Sequence, residues 1–117
     1  MQAKKMNYML IKKFPELEIA YHSEVDWQEG DETGSHVVYG DVFVPYIKKI
    51  IASNSEGKTN EIFKFIEEIL CLEDEYAEEV IVLSVLEELE LDNYDLNLYE
   101  KYFGQKTKEV IRSMHSK

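Results

Sequence analysis

A chain of 117 residues, 44% hydrophobic and 32% charged, has the size and balance of one globular domain: short for a two-lobed enzyme and too apolar for disorder. Its 24 acids against 13 bases leave a net charge of -11, and such a surface would repel a phosphate backbone, which argues against direct nucleic-acid binding. Cys71 is the only cysteine, so no intramolecular disulfide can form; no apolar run approaches a membrane span and no secretory core follows Met1–Lys5, so a cytoplasmic location is expected.

In chain order, Met6, Met9, Leu10 and Phe14 predict a short first helix. Pro15 then suits the first position of a second one, which would turn Leu17, Ala20, Tyr21 and Val25 inward and end near Trp27. Gln28 to His36 reads as a long polar loop. Val42, Phe43, Tyr46, Ile47, Ile50 and Ile51 form a helical stripe opposite Lys48 and Lys49, predicting a helix from about Asp41 to Ser53 with Pro45 in its first turn. Val37, Val38 and Tyr39 favour a strand, so residues 36 to 44 stay open between strand and helix.

The next helix is the clearest, with Thr59 as its expected N-cap and Ile62, Phe63, Phe65, Ile66, Ile69 and Leu70 at helical spacing up to about Leu72. Glu73, Asp74 and Glu75 would open another, to about Leu91, since acids suit the positive end of a helix dipole. Its apolar run from Val80 to Leu86, broken only by Ser84, predicts the most buried helix of the domain. Leu98, Tyr99, Tyr102 and Phe103 lead to Gly104, read as a helix C-cap, and Val110, Ile111 and Met114 mark the last helix. The expected fold is all-α, one domain of six or seven short helices in antiparallel pairs, which could stack as a HEAT-like array of α-hairpins. Its core should hold Phe43, Ile47, Ile50, Phe63, Ile66, Ile69, Leu70, Val80, Ile81, Leu83, Leu86 and Leu89.

Motifs for chemistry are weak. Ala52 to Thr59 resembles a phosphate-binding loop, but alanine replaces the first glycine and a helix precedes it where a strand is needed, so it reads as a turn between helices capped by Thr59. His22 and Asp26 share a helix face and could, with Glu29, Asp31, Glu32 or His36, hold a metal; a small metal-binding regulator or metal-dependent hydrolase is therefore the alternative function. Cys71 reads as a small packed thiol, Ser84 as a hydroxyl returned to its own helix, His115 as a tail residue, and the pairs Glu67-Glu68, Glu78-Glu79 and Glu87-Glu88 as solvated faces. No catalytic residue and no cofactor is implied, and the chain is expected to bind a partner instead of catalysing a reaction.

The acids are segregated. Residues 16 to 32 carry seven acids and no base, and residues 67 to 100 carry thirteen acids and no base, between basic ends. Within them, two groups are candidate protein-binding residues: Asp26, Trp27, Glu29, Asp31 and Glu32, where the only tryptophan abuts an acidic loop, and Glu73, Asp74, Glu75, Glu78 and Glu79. A core lid for Trp27 and dipole stabilisation for the second group are the structural readings of the same residues. The binding reading implies a basic protein partner, with no nucleic acid and no membrane; the oligomeric state stays open. A nucleic-acid mimic is a third possibility.

The runs Trp27 to Ser35, Val38 to Tyr46 and Tyr76 to Val80 resemble a family of small, acidic, helical bacterial proteins without assigned activity. The most specific part is the segment Gly40-Asp41-x-Phe43-x-Pro45-Tyr46, and the resemblance implies architecture more than chemistry. By size and charge the chain is also similar to immunity proteins, which neutralise a toxin by covering its basic surface. That likeness implies an immunity or antitoxin role.

Overall fold

The computed structural model describes residues 1–26, 30 and 33–116. Helix α1 (Ala3–Lys13) buries Met6, Asn7 and Leu10, and its end is followed by a short 3-10 turn at Pro15–Leu17, where proline's missing N–H goes unused. Helix α2 (Glu18–Val25) then buries Tyr21 and Val25. Ala20, expected inside, is exposed.

Residues 36 to 44 are helix, and no strand occurs among the described residues. Helix α3 spans residues 35–52, with an α turn at Ser35–Val38, a π-helical stretch at Tyr39–Phe43 and an α segment at Val44–Ala52. In the π stretch the Val44 N–H donates to the Tyr39 carbonyl five residues back. The widened turn gives room for the Pro45 ring, which would otherwise press on a carbonyl one turn earlier, so the helix runs through the proline.

Helix α4 (Glu56–Leu70) is capped by Ser55, whose hydroxyl accepts the Lys58 N–H at 3.4 Å. Thr59, expected as that cap, lies a turn inside, buried, and donates its hydroxyl to the Ser55 carbonyl at 2.7 Å. The phosphate-loop likeness at Ala52 to Thr59 thus falls on a turn between two helices, with no preceding strand.

Helix α5 spans residues 75–91, in three stretches: Glu75–Glu79, the π-helical Val80–Leu86, and Glu87–Leu91. It starts after Asp74, whose carboxylate accepts the Ala77 N–H, and Glu73 lies outside it with φ 54°. A seven-residue 3-10 helix (Leu96–Tyr102) and α6 (Gln105–His115) complete the domain, within the six or seven helices expected. Gly104 is not a left-handed C-cap: its φ is -81°, and it is the extended residue that precedes α6.

Cross-contacts rise together along α3 and α5: Ser35 bonds Tyr76, His36 meets Glu79 and Ser84, and Lys48 pairs with Asp92. The two helices therefore lie side by side and parallel. The short turns at residues 53–55 and 71–74 send α4 back antiparallel to both. The two π stretches face each other. Phe14, Phe43 and Phe65 pack with ring centroids 5.5 to 5.7 Å apart, and Phe63 sits among Tyr99, Tyr102 and Phe103. Each buried ring contributes about 1.5–3 kcal/mol.

Of the expected core, Leu83 is 47% exposed and Ile50 is half-buried; the others are buried. The spacing of the buried residues places Leu83 outside. Ala77, Val80 and Ile81 are buried, and a regular helix returns to that face near positions 84 and 88. The wider π turn delays the return to Val85, Leu86 and Leu89, so Leu86 comes inside and Ser84 faces α3, while Leu83 lies about a third of a turn off the buried face with or without it. Helix α5 is therefore not buried all round.

Candidate functional site

The outer face of α5 carries an apolar centre inside an acidic frame. Val82 and Leu83 share a shallow concavity with Glu75, Glu78 and Glu79, and one turn and more along, Leu91 and Met114 share another with Glu87 and Glu90. Leu83 and the 76%-exposed Leu91 lie eight residues apart on one stripe, about 12 Å along the axis. The helix contains no base. Among the described residues Glu75, Glu78 and Glu87 have no cationic partner.

Beneath this face a polar cluster joins α1, α3 and α5. The Asn7 amide donates to the Thr33 carbonyl at 2.8 Å and accepts the Ser35 hydroxyl at 2.8 Å, and the Tyr39 hydroxyl donates to the Met6 carbonyl at 2.7 Å. Asn7, Ser35 and Tyr39 are fully buried, and burial pushes the Tyr39 hydroxyl well above the usual tyrosine range. At the rim, His36 Nδ1 lies 2.6 Å from Ser84 Oγ and Nε2 lies 3.3 Å from Glu79, while the ring stands edge-on to Tyr76. Ser84 thus bonds across to α3 instead of back to its own helix. Serine, histidine and carboxylate are in line, but the amides around Ser84 are committed within a helix, so they offer no donors to an oxyanion. The arrangement ties α3 to α5 and holds Glu79 at the edge of the acidic face.

Residues 7–116 match DUF7674, a domain of unknown function. The chain belongs to the DUF7674 family. No curated protein and no solved structure matches the chain. The matched range of this DUF7674 chain takes in the whole α5 face and the Gly40 to Tyr46 segment.

The structure separates the candidate binding residues. Glu75, Glu78 and Glu79 share the α5 face. Glu73 and Asp74 serve the fold: Glu73 pairs with Lys106 at 3.5 Å, and Asp74 both caps α5 and binds the Met1 ammonium at 2.7 Å. The ammonium bond and the Ala77 amide hold the Asp74 carboxyl below its ordinary range. Asp26 is exposed at the end of α2; Trp27, Glu29, Asp31 and Glu32 lie outside the described residues.

For the metal alternative, His22 approaches Glu18 at 3.8 Å, while His36 is engaged by Ser84 and Glu79. Among the described residues no three histidine, cysteine or acidic side chains cluster as a metal site; Glu29, Asp31 and Glu32 fall outside that set. No helix there is long and apolar enough to cross a membrane.

Three more expectations change. Cys71 is exposed and donates to Glu67 at 3.3 Å, and that bond pushes the thiol's pKa up. His115 lies 2.6 Å from the Glu90 carboxylate. Glu67 is a half-buried cap for another helix, not a solvated acid. Val82, Leu83, Glu87, Glu90 and Leu91 were missed as site residues because an apolar run reads as core; helical spacing from Ala77, Val80 and Ile81 was the signal that puts Leu83 outside.

Proposed function

We propose that the chain is a cytoplasmic protein-binding module of immunity or antitoxin type, which masks a basic toxin or nuclease against the outer face of α5. One observation carries this reading: exposed Leu83 and half-buried Val82 sit among Glu75, Glu78, Glu79 and Glu87 on a helix without a base. An apolar centre within a charged rim is the usual anatomy of a protein interface. The acids add long-range attraction for a basic surface and repel phosphate, so the expected complex forms fast at low salt and weakens as salt screens the charges. Masking needs no reacting group. Helix α5 suits it because Asp74, the His36–Ser84 contact and the Lys48–Asp92 pair hold it along its length.

The test is co-purification of the tagged chain from its native host at low salt. The expected result is a basic protein that is released by added salt and lost with Leu83→Asp or with Glu75→Lys/Glu78→Lys. Recovery of no basic partner, or equal recovery by the variants, would overturn the proposal.

A further inference from the structure

A second cleft lies between the 3-10 helix and α6, separated from the Glu87–Leu91 end of the α5 face by the His115–Glu90 contact, and its lining carries Lys108 and Arg112 against the single acid Glu100. It has a volume of about 400 Å³, within the range of small-molecule sites. Phe103 and the buried Ile111 give it apolar surface, Lys108 and Arg112 its cationic wall, and Asn97 and Glu100 the facing side.

Arg112 is the chain's only arginine, in a protein with 24 acids. Lys108 and Arg112 stand one turn apart on α6, and no carboxylate among the described residues holds either one. Lys48, Lys58, Lys101 and Lys106 pair with acids, and His115 at the same cleft is taken by Glu90. Lys108 and Arg112 share their lack of an acid partner with several other surface lysines but are the two that line one cleft beside an aromatic ring. A guanidinium presents a planar fork that matches a carboxylate or a phosphate, and an ammonium one turn away adds a second charge.

The cleft is also held in shape. Phe103 packs on Phe63 with centroids 5.2 Å apart, and Glu67 of α4 binds the first amides of α6. Both walls are therefore anchored to the core.

We propose that this cleft binds a small anion with an apolar, ring-sized body, its carboxylate or phosphate on Arg112 and Lys108 and its body on Phe103 and Ile111. The site adjoins the masking face at the His115–Glu90 contact but shares no lining residue with it, and the proposal does not rest on the masking function. A dipole role for Arg112 in the last turn of α6 would stabilise the helix but bind nothing.

The full chain, labelled with ¹⁵N, is titrated separately with phenyl phosphate, phenylacetate and inorganic phosphate. Saturable shifts confined to Phe103, Lys108, Ile111 and Arg112 are expected with at least one aryl probe, binding about tenfold or more tightly than inorganic phosphate because only the aryl probes use the apolar surface. Arg112→Gln should weaken that binding by about tenfold or more, and Lys108→Gln by less, with the helical signal of both variants unchanged. Shifts that never saturate, an aryl probe no better than inorganic phosphate, or unchanged binding in Arg112→Gln would each overturn the proposal.

Discussion

Glu67 in α4 caps a helix forty residues away: its Oε1 accepts both the backbone N–H and the hydroxyl of Thr107, each at 2.8 Å, and its Oε2 accepts the Lys106 N–H at 3.1 Å. A helix N-terminus leaves amides without partners, and here a carboxylate from a neighbouring helix satisfies them. Burial alone would raise the Glu67 pKa, but these hydrogen bonds outweigh it and hold the carboxyl below its ordinary value. Glu67→Ala should cost about 1.5–3 kcal/mol, because it exposes the α6 amides and strands the buried Thr107 hydroxyl. Urea unfolding checks this.

Gly104 is tied to the same interaction. A Cβ built there would lie 2.3 to 2.6 Å from the Glu67 side chain, which can swing away only by giving up the cap. Gly104→Ala should therefore cost about 1–3 kcal/mol, and little more when combined with Glu67→Ala, since one interaction is lost in both. Additive losses in the double-mutant cycle would contradict this coupling.

The pH dependence follows from carboxyls held below their unfolded values, Glu67 and Asp74 among them. For a lowered acid the unfolded chain binds more protons as pH falls, so the stabilisation is fully present above the unfolded pKa and is lost through the folded one. The urea midpoint should be flat above about pH 5 and fall below about pH 4, with a shallower acid limb in Glu67→Gln.

Asn7 joins α1 to the start of α3 through a buried bond with Ser35 and to the preceding segment through one with the Thr33 carbonyl. Asn7→Ala should cost about 2–3 kcal/mol, because the Thr33 carbonyl loses the Asn7 donor, the Ser35 hydroxyl keeps only the longer bond to the Ala3 carbonyl and a cavity opens, whereas Ser35→Ala should cost nearer 1 kcal/mol. Thermal and urea unfolding of both variants would test the order.

Cys71 is accessible, yet its thiol is bonded to an ionised carboxylate that disfavours the thiolate. Its alkylation by iodoacetamide at neutral pH should be slower than that of an unstructured cysteine peptide, and Glu67→Gln should speed it. No acceleration in the variant would show that Glu67 does not govern the thiol.

The all-helical class, the single core and the segregation of charge were legible in the sequence, because they follow from local spacing and composition. The apolar positions of α4 at helical intervals could bury one face in no other regular structure, and the base-free run from residue 67 to 100 made an acidic surface unavoidable. Tertiary structure alone decided which of those acids face solvent and which work inside: Glu67 and Asp74 were drawn into caps, whereas Glu75 and Glu78 stayed outside. It also decided the face of α5. The packing of α3 beside α5 accommodates the two facing π turns, and one wide turn in α5 is enough to bring Leu86 to the buried side, where a regular repeat set by Ala77 and Ile81 would leave it outside. A pattern counted at 3.6 residues per turn cannot contain that shift, because the departure from the repeat arises from contacts between segments distant in sequence.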